Sequence, residues 1–134
     1  MILPILATSN LESSIDFYTT KLGFNELFRM NGPDGTVVFA MVGIGNASIG
    51  LSAQDAPAPK GNGVVFMVYV ADETDIDAYY AEVKGRGVPM KEDITDQYWG
   101  DRSFSVIDPD GYYIQLSKTT RQVTPEELQG NATG

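Results

Sequence analysis

At 134 residues, with 18 acidic and 9 basic side chains and a net charge of −9, the chain is sized for one domain with its own hydrophobic core and repels a nucleic-acid backbone. It has no cysteine and no histidine, which removes thiolate nucleophiles, disulfides, zinc sites of the usual kind and the commonest general base. Chemistry is left to carboxylates, Tyr, Lys, Ser/Thr or backbone groups, and an acidic surface that serves solubility still permits a cationic ligand.

In chain order, the N-terminal MILPILATSNLE carries no basic n-region, and no segment reaches the roughly 20 apolar residues of a membrane span. The expectation is a soluble cytoplasmic protein. Ile2 to Thr8 reads as a strand, and Asn10 caps a helix whose apolar Leu11, Ile15, Tyr18 and Leu22 recur at helical spacing until Gly23. Asn25 to Met30, Thr36 to Val42 and Ala47 to Ser52 follow as strands, separated by the turn-rich segments 31–35 and 43–46. Residues 54–63, rich in Pro, Gly and Ala, have linker composition. Val64 to Val70 is then a strand, and a helix starting at Thr74 turns Ile76, Tyr79, Tyr80 and Val83 inward before Gly85-Arg86-Gly87 stops it. Val88 to Thr95, Arg102 to Ile107 and Tyr112 to Lys118 complete the strands. Thr124-Pro125-Glu126-Glu127-Leu128 starts one short helical turn in a tail, 122–134, whose end is expected to fray.

The chain repeats itself. Ser14-Ile15-Asp16-Phe17-Tyr18 is similar to Asp75-Ile76-Asp77-Ala78-Tyr79, and Phe39, Met41, Ile49 and Leu51 have counterparts in Phe104, Val106, Ile114 and Leu116. The change in offset places about four extra residues, Gln97 to Gly100, in the second copy. One α+β domain, 1–121, therefore holds two tandem βαβββ modules, 1–53 and 64–121. In the last hairpin, Asp108-Pro109-Asp110-Gly111 supplies a fixed φ, an Asx bond and a residue tolerant of positive φ. Strand alternation puts Tyr113, Gln115 and Ser117 on one face and Tyr112, Ile114 and Leu116 on the other.

SNLESSIDFYTTKLGF and WGDRSFSVIDPDGYYIQL resemble the first helix and last hairpin of the vicinal oxygen chelate superfamily, the group of glyoxalase I, extradiol dioxygenases and bleomycin-resistance proteins. The resemblance spans nearly the whole chain and implies two modules whose mixed sheets curl around a cavity, often completed by a dimer. Metal-dependent relatives hold a divalent ion with four side chains, at positions that fall near Leu3, at Gly50, near Val65 or Phe66, and at Gln115. One neutral amide cannot replace three missing donors. The resemblance then implies a metal-free member without cofactor, of the kind that sequesters bleomycin or mitomycin. Trp99-Gly100 is similar to the aromatic edge that such proteins place beside their cavity. Pro4 is similar in kind to a proline around which dimers exchange N-terminal arms, and it equally suits an edge strand.

Alternation from those positions turns Leu3, Ile5 and Ala7, then Ser48, Gly50 and Ser52, and finally Tyr113, Gln115 and Ser117 inward. Ser103 and Ser105 join them if Phe104 and Val106 pack on a helix. Such small residues leave volume, whereas Phe28, Met30, Phe39, Met41 and Phe66 could fill it; Phe39 and Phe66 are also counted as ligand contacts. Tyr98 and Trp99 either stack on a planar or cationic guest or cover a sheet edge or dimer seam. Asp101 and Arg102 read as solvated loop charges or as a pair, and Asp72, Glu73, Asp75 and Asp77 complement a helix dipole. The expected function is metal-free binding of an aromatic or cationic small molecule, such as an antibiotic, by a homodimer with no nucleic-acid or membrane partner. The alternative is a cofactor-free isomerase, hydrolase or cyclase using Tyr113 or a cavity carboxylate, for which Glu26, Glu92 and Asp101 are candidates. A domain with a vestigial pocket that binds a macromolecular partner is a third reading.

Overall fold

The structure, a computed structural model, describes residues 2–53 and 64–133. The expected linker at 54–63 lies outside the described residues. Local chemistry sets the first helix: the Asn10 side chain accepts from the Ser13 amide at 3.1 Å, and α1 (Leu11–Asp16) continues as a wider turn over Phe17–Lys21. The Leu22 amide reaches back five residues to the Phe17 carbonyl at 2.9 Å. That extra residue per turn keeps Phe17, Tyr18 and Leu22 all buried before Gly23, at φ +76°, ends the helix.

Strands β1 (Ile5–Thr8), β2 (Asn25–Asn31), β3 (Val37–Ile44) and β4 (Ala47–Ala53) form one sheet in the order β1-β4-β3-β2. Strands β5 (Val65–Tyr69), β6 (Met90–Asp96), β7 (Asp101–Ile107) and β8 (Tyr113–Thr119) form the second in the equivalent order β5-β8-β7-β6. In each sheet the first and last strands of the module run parallel and the remaining pairs antiparallel. The expected α+β fold of two βαβββ modules is what the chain adopts.

The first strand starts at Ile5, three residues later than its apolar run suggests. The second helix, α2 (Ile76–Gly85), is capped by Asp75, whose Oδ1 accepts from the Asp77 and Ala78 amides at 3.1 Å, so it begins after the expected Thr74. Strand β3 runs on through Ile44, because Ile44 and Ala47 pair across a two-residue turn in which Gly45 takes φ +57°. At the C-terminus, α3 (Pro125–Thr133) is nine residues, longer than the single expected turn. Thr124 Oγ1 caps it by accepting from the Glu127 amide at 3.1 Å.

The repeat is real but its register in β3 is shifted by one. Ala40 pairs with Leu51 as Phe104 pairs with Leu116, and Phe39 pairs with Ser52 as Ser103 pairs with Ser117. With Gly50 matched to Gln115, the counterpart of Phe104 is therefore Ala40. Because strand side chains alternate, the slip exchanges faces: Ala40 and Phe104 are fully buried against the helices, while Phe39 lies on the opposite, open face.

Helices α1 and α2 cover one face of the sheets over a core of Tyr18, Leu22, Leu51, Phe104, Ile114 and Leu116. Phe104 sits between the rings of Tyr79 and Tyr80, at centroid distances of 5.5 and 5.3 Å. The hairpin turn does more than reverse the chain. Buried Asp108 accepts from the Tyr18 hydroxyl at 2.8 Å and from the Asp110 and Tyr112 amides, while Asp110 accepts from the Ser9 amide and hydroxyl. The second module's turn thereby clamps the first module's helix.

Candidate functional site

Four residues separate β6 from β7, and hydrogen bonds fold them tightly. The Gln97 amide donates to the Asp101 carbonyl at 2.7 Å and the Gly100 amide to the Gln97 carbonyl at 3.1 Å. Gly100 holds φ +100°, and its carbonyl accepts from the Thr120 and Arg121 amides at 2.9 and 3.2 Å. A Cβ there would lie 2.5 Å from the Arg121 carbonyl oxygen, so only glycine lets this loop meet the end of β8 so closely.

Pinned in this way, the loop projects Tyr98 and Trp99, whose rings stand 4.9 Å apart and perpendicular, at 89°. With Met67 and Tyr69 of β5 and Pro125, Leu128 and Gln129 of α3, they line a cleft of about 500 Å³. The tail is thus one wall of the site. Behind the aromatics lies Asp101, 3% exposed, whose Oδ2 accepts from the Tyr69 hydroxyl at 2.7 Å and Trp99 Nε1 at 2.8 Å. Its Oδ1 accepts from Thr119 Oγ1 at 3.0 Å, directly across the β7–β8 ladder. The bond to Asp101, reinforced by partial burial and by the carboxylate's charge, pushes the Tyr69 phenol up to about 12, so at neutral pH it is a neutral donor.

Next to the cleft, the face of the second sheet turned away from the core carries buried polar side chains. Gln115 pairs in register with Met67 and Ser105, and Ser117 with Tyr69 and Ser103. Ser103 Oγ accepts from Gln115 Nε2 at 3.1 Å and from Gln97 Nε2 at 2.9 Å, while the buried hydroxyls of Ser105 and Ser117 have no hydrogen-bond partner among the described residues. Unpaired buried hydroxyls cost on the order of 1 to 3 kcal/mol each, a departure from ordinary packing that marks this face as unusual.

Sequence-predicted residues divide accordingly. Tyr98 and Trp99 are in the cleft, whereas Ser103 and Ser105, fully buried, and Gln115, 8% exposed, share the sheet face of Met67 and Tyr69 but do not line the cleft. Tyr113 shares their strand face, pairing with Val65 and Ile107. Phe39 and Gly50 lie on the open face of the other sheet, where a Cβ on Gly50 would sit 3.1 Å from both the Phe39 ring and the Ile5 side chain. The surface over Gly50 is therefore already covered. Leu3 precedes β1 and is half-buried. Phe66 faces the wrong way: it packs on the core beside the Tyr112 ring, 6.3 Å away, and it is Met67 that shares the face of Gln115. The β5 phase set by pairing with β8 corrects that expectation. Asp101 is a strand residue within the fold, not a solvated loop charge, and Arg102 pairs with Asp77 and Asp96 at 2.8 and 3.1 Å.

The metal positions of related folds do not fit an ion here. Ile5 is the neighbour of Gly50 and Met67 that of Gln115, giving one amide and one thioether in place of four donors. Among the described residues there is no group of three or more His, Cys, Asp or Glu side chains placed to hold a metal ion.

Residues 2–116 match the Glyoxalase/Bleomycin resistance protein/Dioxygenase superfamily, and the chain belongs to that superfamily. Within it, the chain is 31% identical over 134 residues to an uncharacterized protein of Mycobacterium bovis, covering 94% of this chain and 88% of that protein. It is 28% identical over 129 residues to a bleomycin resistance protein of Geobacillus stearothermophilus, covering 85% and 92% of the two chains. The crystal structure of TnmS3, an antibiotic binding protein of Streptomyces sp. CB03234, superposes with a TM-score of 0.64 at 29% identity, covering 88% of this chain and 93% of that one. No helix among the described residues is long and apolar enough to cross a membrane.

Proposed function

We propose that this protein binds and sequesters a small aromatic or cationic compound, such as an antibiotic, without a metal ion. The observation that carries the reading is the cleft of about 500 Å³ walled by Met67, Tyr69, Tyr98 and Trp99, a volume and lining suited to a drug-sized planar guest. Stacking on such rings contributes on the order of 0.5 to 1.5 kcal/mol per contact beyond area burial. Similarity to a bleomycin resistance protein and to an antibiotic binding protein supports the ligand class. The donor-poor set at Ile5, Gly50, Met67 and Gln115 supports metal independence.

The dimer belongs to the same reading. Ile5, Phe28 and Met30 on the first sheet are 56%, 49% and 48% exposed, and a second copy would cover this apolar face and close the cavity. Isothermal titration with bleomycin and mitomycin, read beside the emission of Trp99, the single tryptophan, tests binding directly. Affinity near micromolar with a change in Trp99 emission is expected, and failure of such compounds to bind sinks the antibiotic reading. Elemental analysis that found stoichiometric zinc, nickel or iron would overturn metal independence, and sedimentation as a monomer would overturn the dimer.

A further inference from the structure

We propose that Asp101 is the positioning residue of the aromatic cleft and the group that makes it prefer a cation over a neutral guest of the same shape. The inference rests on the binding reading above and assigns its selectivity to one side chain. Three observations carry it. First, the carboxylate is buried at 3% exposure, and its hydrogen bonds come from three neutral groups: Tyr69, Trp99 and Thr119. No basic side chain among the described residues pairs with it; its neighbour Arg102, on the other face of the strand, is taken by Asp77 and Asp96. A buried charge held only by dipoles keeps its field.

Second, the Tyr69 hydroxyl and the Trp99 indole N–H converge on the same oxygen, Oδ2, at 2.7 and 2.8 Å. One atom therefore fixes two walls of the cleft, which come from β5 and from the β6–β7 loop. Third, donation of both polar hydrogens to an anion pushes electron density into the rings, which strengthens the attraction of their π faces for a cation. The negative charge behind the wall and the enriched faces in front of it act in the same direction. A neutral planar guest gains only the stacking.

Asparagine separates charge from position. In Asp101→Asn the amide oxygen can stand where Oδ2 does and accept from Tyr69 and Trp99, while the amide nitrogen donates to Thr119 Oγ1, which can accept. The geometry survives and the charge is lost. Asp101→Ala removes both.

The test titrates N-methylquinolinium and quinoline at pH 8 into wild type, Asp101→Asn and Asp101→Ala, following Trp99 fluorescence, with circular dichroism to verify folding. Wild type is expected to bind the cation about tenfold more tightly, about 1.4 kcal/mol. In Asp101→Asn that ratio falls to within about twofold of one while quinoline affinity holds, and in Asp101→Ala both affinities fall. Equal affinities in wild type, or a ratio unchanged in Asp101→Asn, overturn the inference and leave the binding reading standing. If wild type binds neither probe, the inference falls, while the binding reading is decided by the bleomycin and mitomycin titrations. Should the Asp101 variants not fold, Tyr69→Phe, which removes one of the two donors to Oδ2, is expected to lower the preference, whereas Thr119→Val, which leaves both Oδ2 bonds in place, is expected to keep it; an unchanged ratio in Tyr69→Phe overturns the inference.

Discussion

Tyr18→Phe probes the clamp between the two modules. Tyr18 is fully buried and its hydroxyl donates at 2.8 Å to Oδ2 of Asp108, itself 3% exposed. Removing the hydroxyl leaves the ring packing intact and deprives a buried carboxylate oxygen of its donor. A hydrogen bond to a charged group is worth about 1.5 to 3 kcal/mol, so the variant is expected to lose about 2 kcal/mol at pH 7. The loss depends on pH in a defined sense. Burial raises the Asp108 pKa, and the donors from the Tyr112 amide, Tyr18 and the Asp110 amide hold that rise in check. A carboxyl whose folded pKa lies above the unfolded one, about 3.9, contributes stability that is fully present below that value and is lost as pH rises through the folded pKa. Without Tyr18 the folded pKa rises further, so the penalty is largest at neutral pH and shrinks toward about pH 4. Urea unfolding followed by Trp99 emission at the two pH values measures it. A cost under about 0.5 kcal/mol at pH 7, or an equal cost at pH 4, would refute the reasoning.

Other expectations rest on single features. Gly100→Ala places a Cβ 2.5 Å from the Arg121 carbonyl oxygen at φ +100°, so it should destabilise by about 2 kcal/mol or more in urea and also disturb Trp99 emission. Phe104→Ala empties a fully buried site between two tyrosine rings and should cost about 3 to 5 kcal/mol in the same assay. Asp75→Ala removes the cap of α2 and should cost about 1 kcal/mol, whereas Asp75→Asn, which keeps the acceptor, should cost little; equal losses in the two would show that the charge matters and the cap bond does not.

Much of the fold was legible because its signals are local. Leu11, Ile15, Tyr18 and Leu22 declared the buried stripe of α1, and all four are buried. The alternation along β8 placed Ile114 and Leu116 in the core, where they lie, and Gln115 and Ser117 on the face of Met67 and Tyr69, although these two are buried as well. Where phase had to be carried from one strand to another, reading by similarity failed by one residue. Phe104 was matched to Phe39, and Phe66 was turned toward the site in place of Met67. Two aromatics attract a match by chemistry, but strand register is fixed by hydrogen-bonded partners, and these lie up to 48 residues away in β5 and β8.

By itself, then, the sequence determined the module order, the helix stripes and the turn chemistry of Asp108 to Gly111. Each of these depends on residue identity or on spacing within one element. Only the tertiary structure decided that Asp101 is buried and shared by Tyr69, Trp99 and Thr119, which lie 32, 2 and 18 residues from it in the chain. It also decided that α3 walls the cleft with Leu128 and that Asp108 holds Tyr18 across 90 residues. Such groups carry no periodic signal: a carboxylate that gathers donors from three segments reads, in sequence, like any other surface charge.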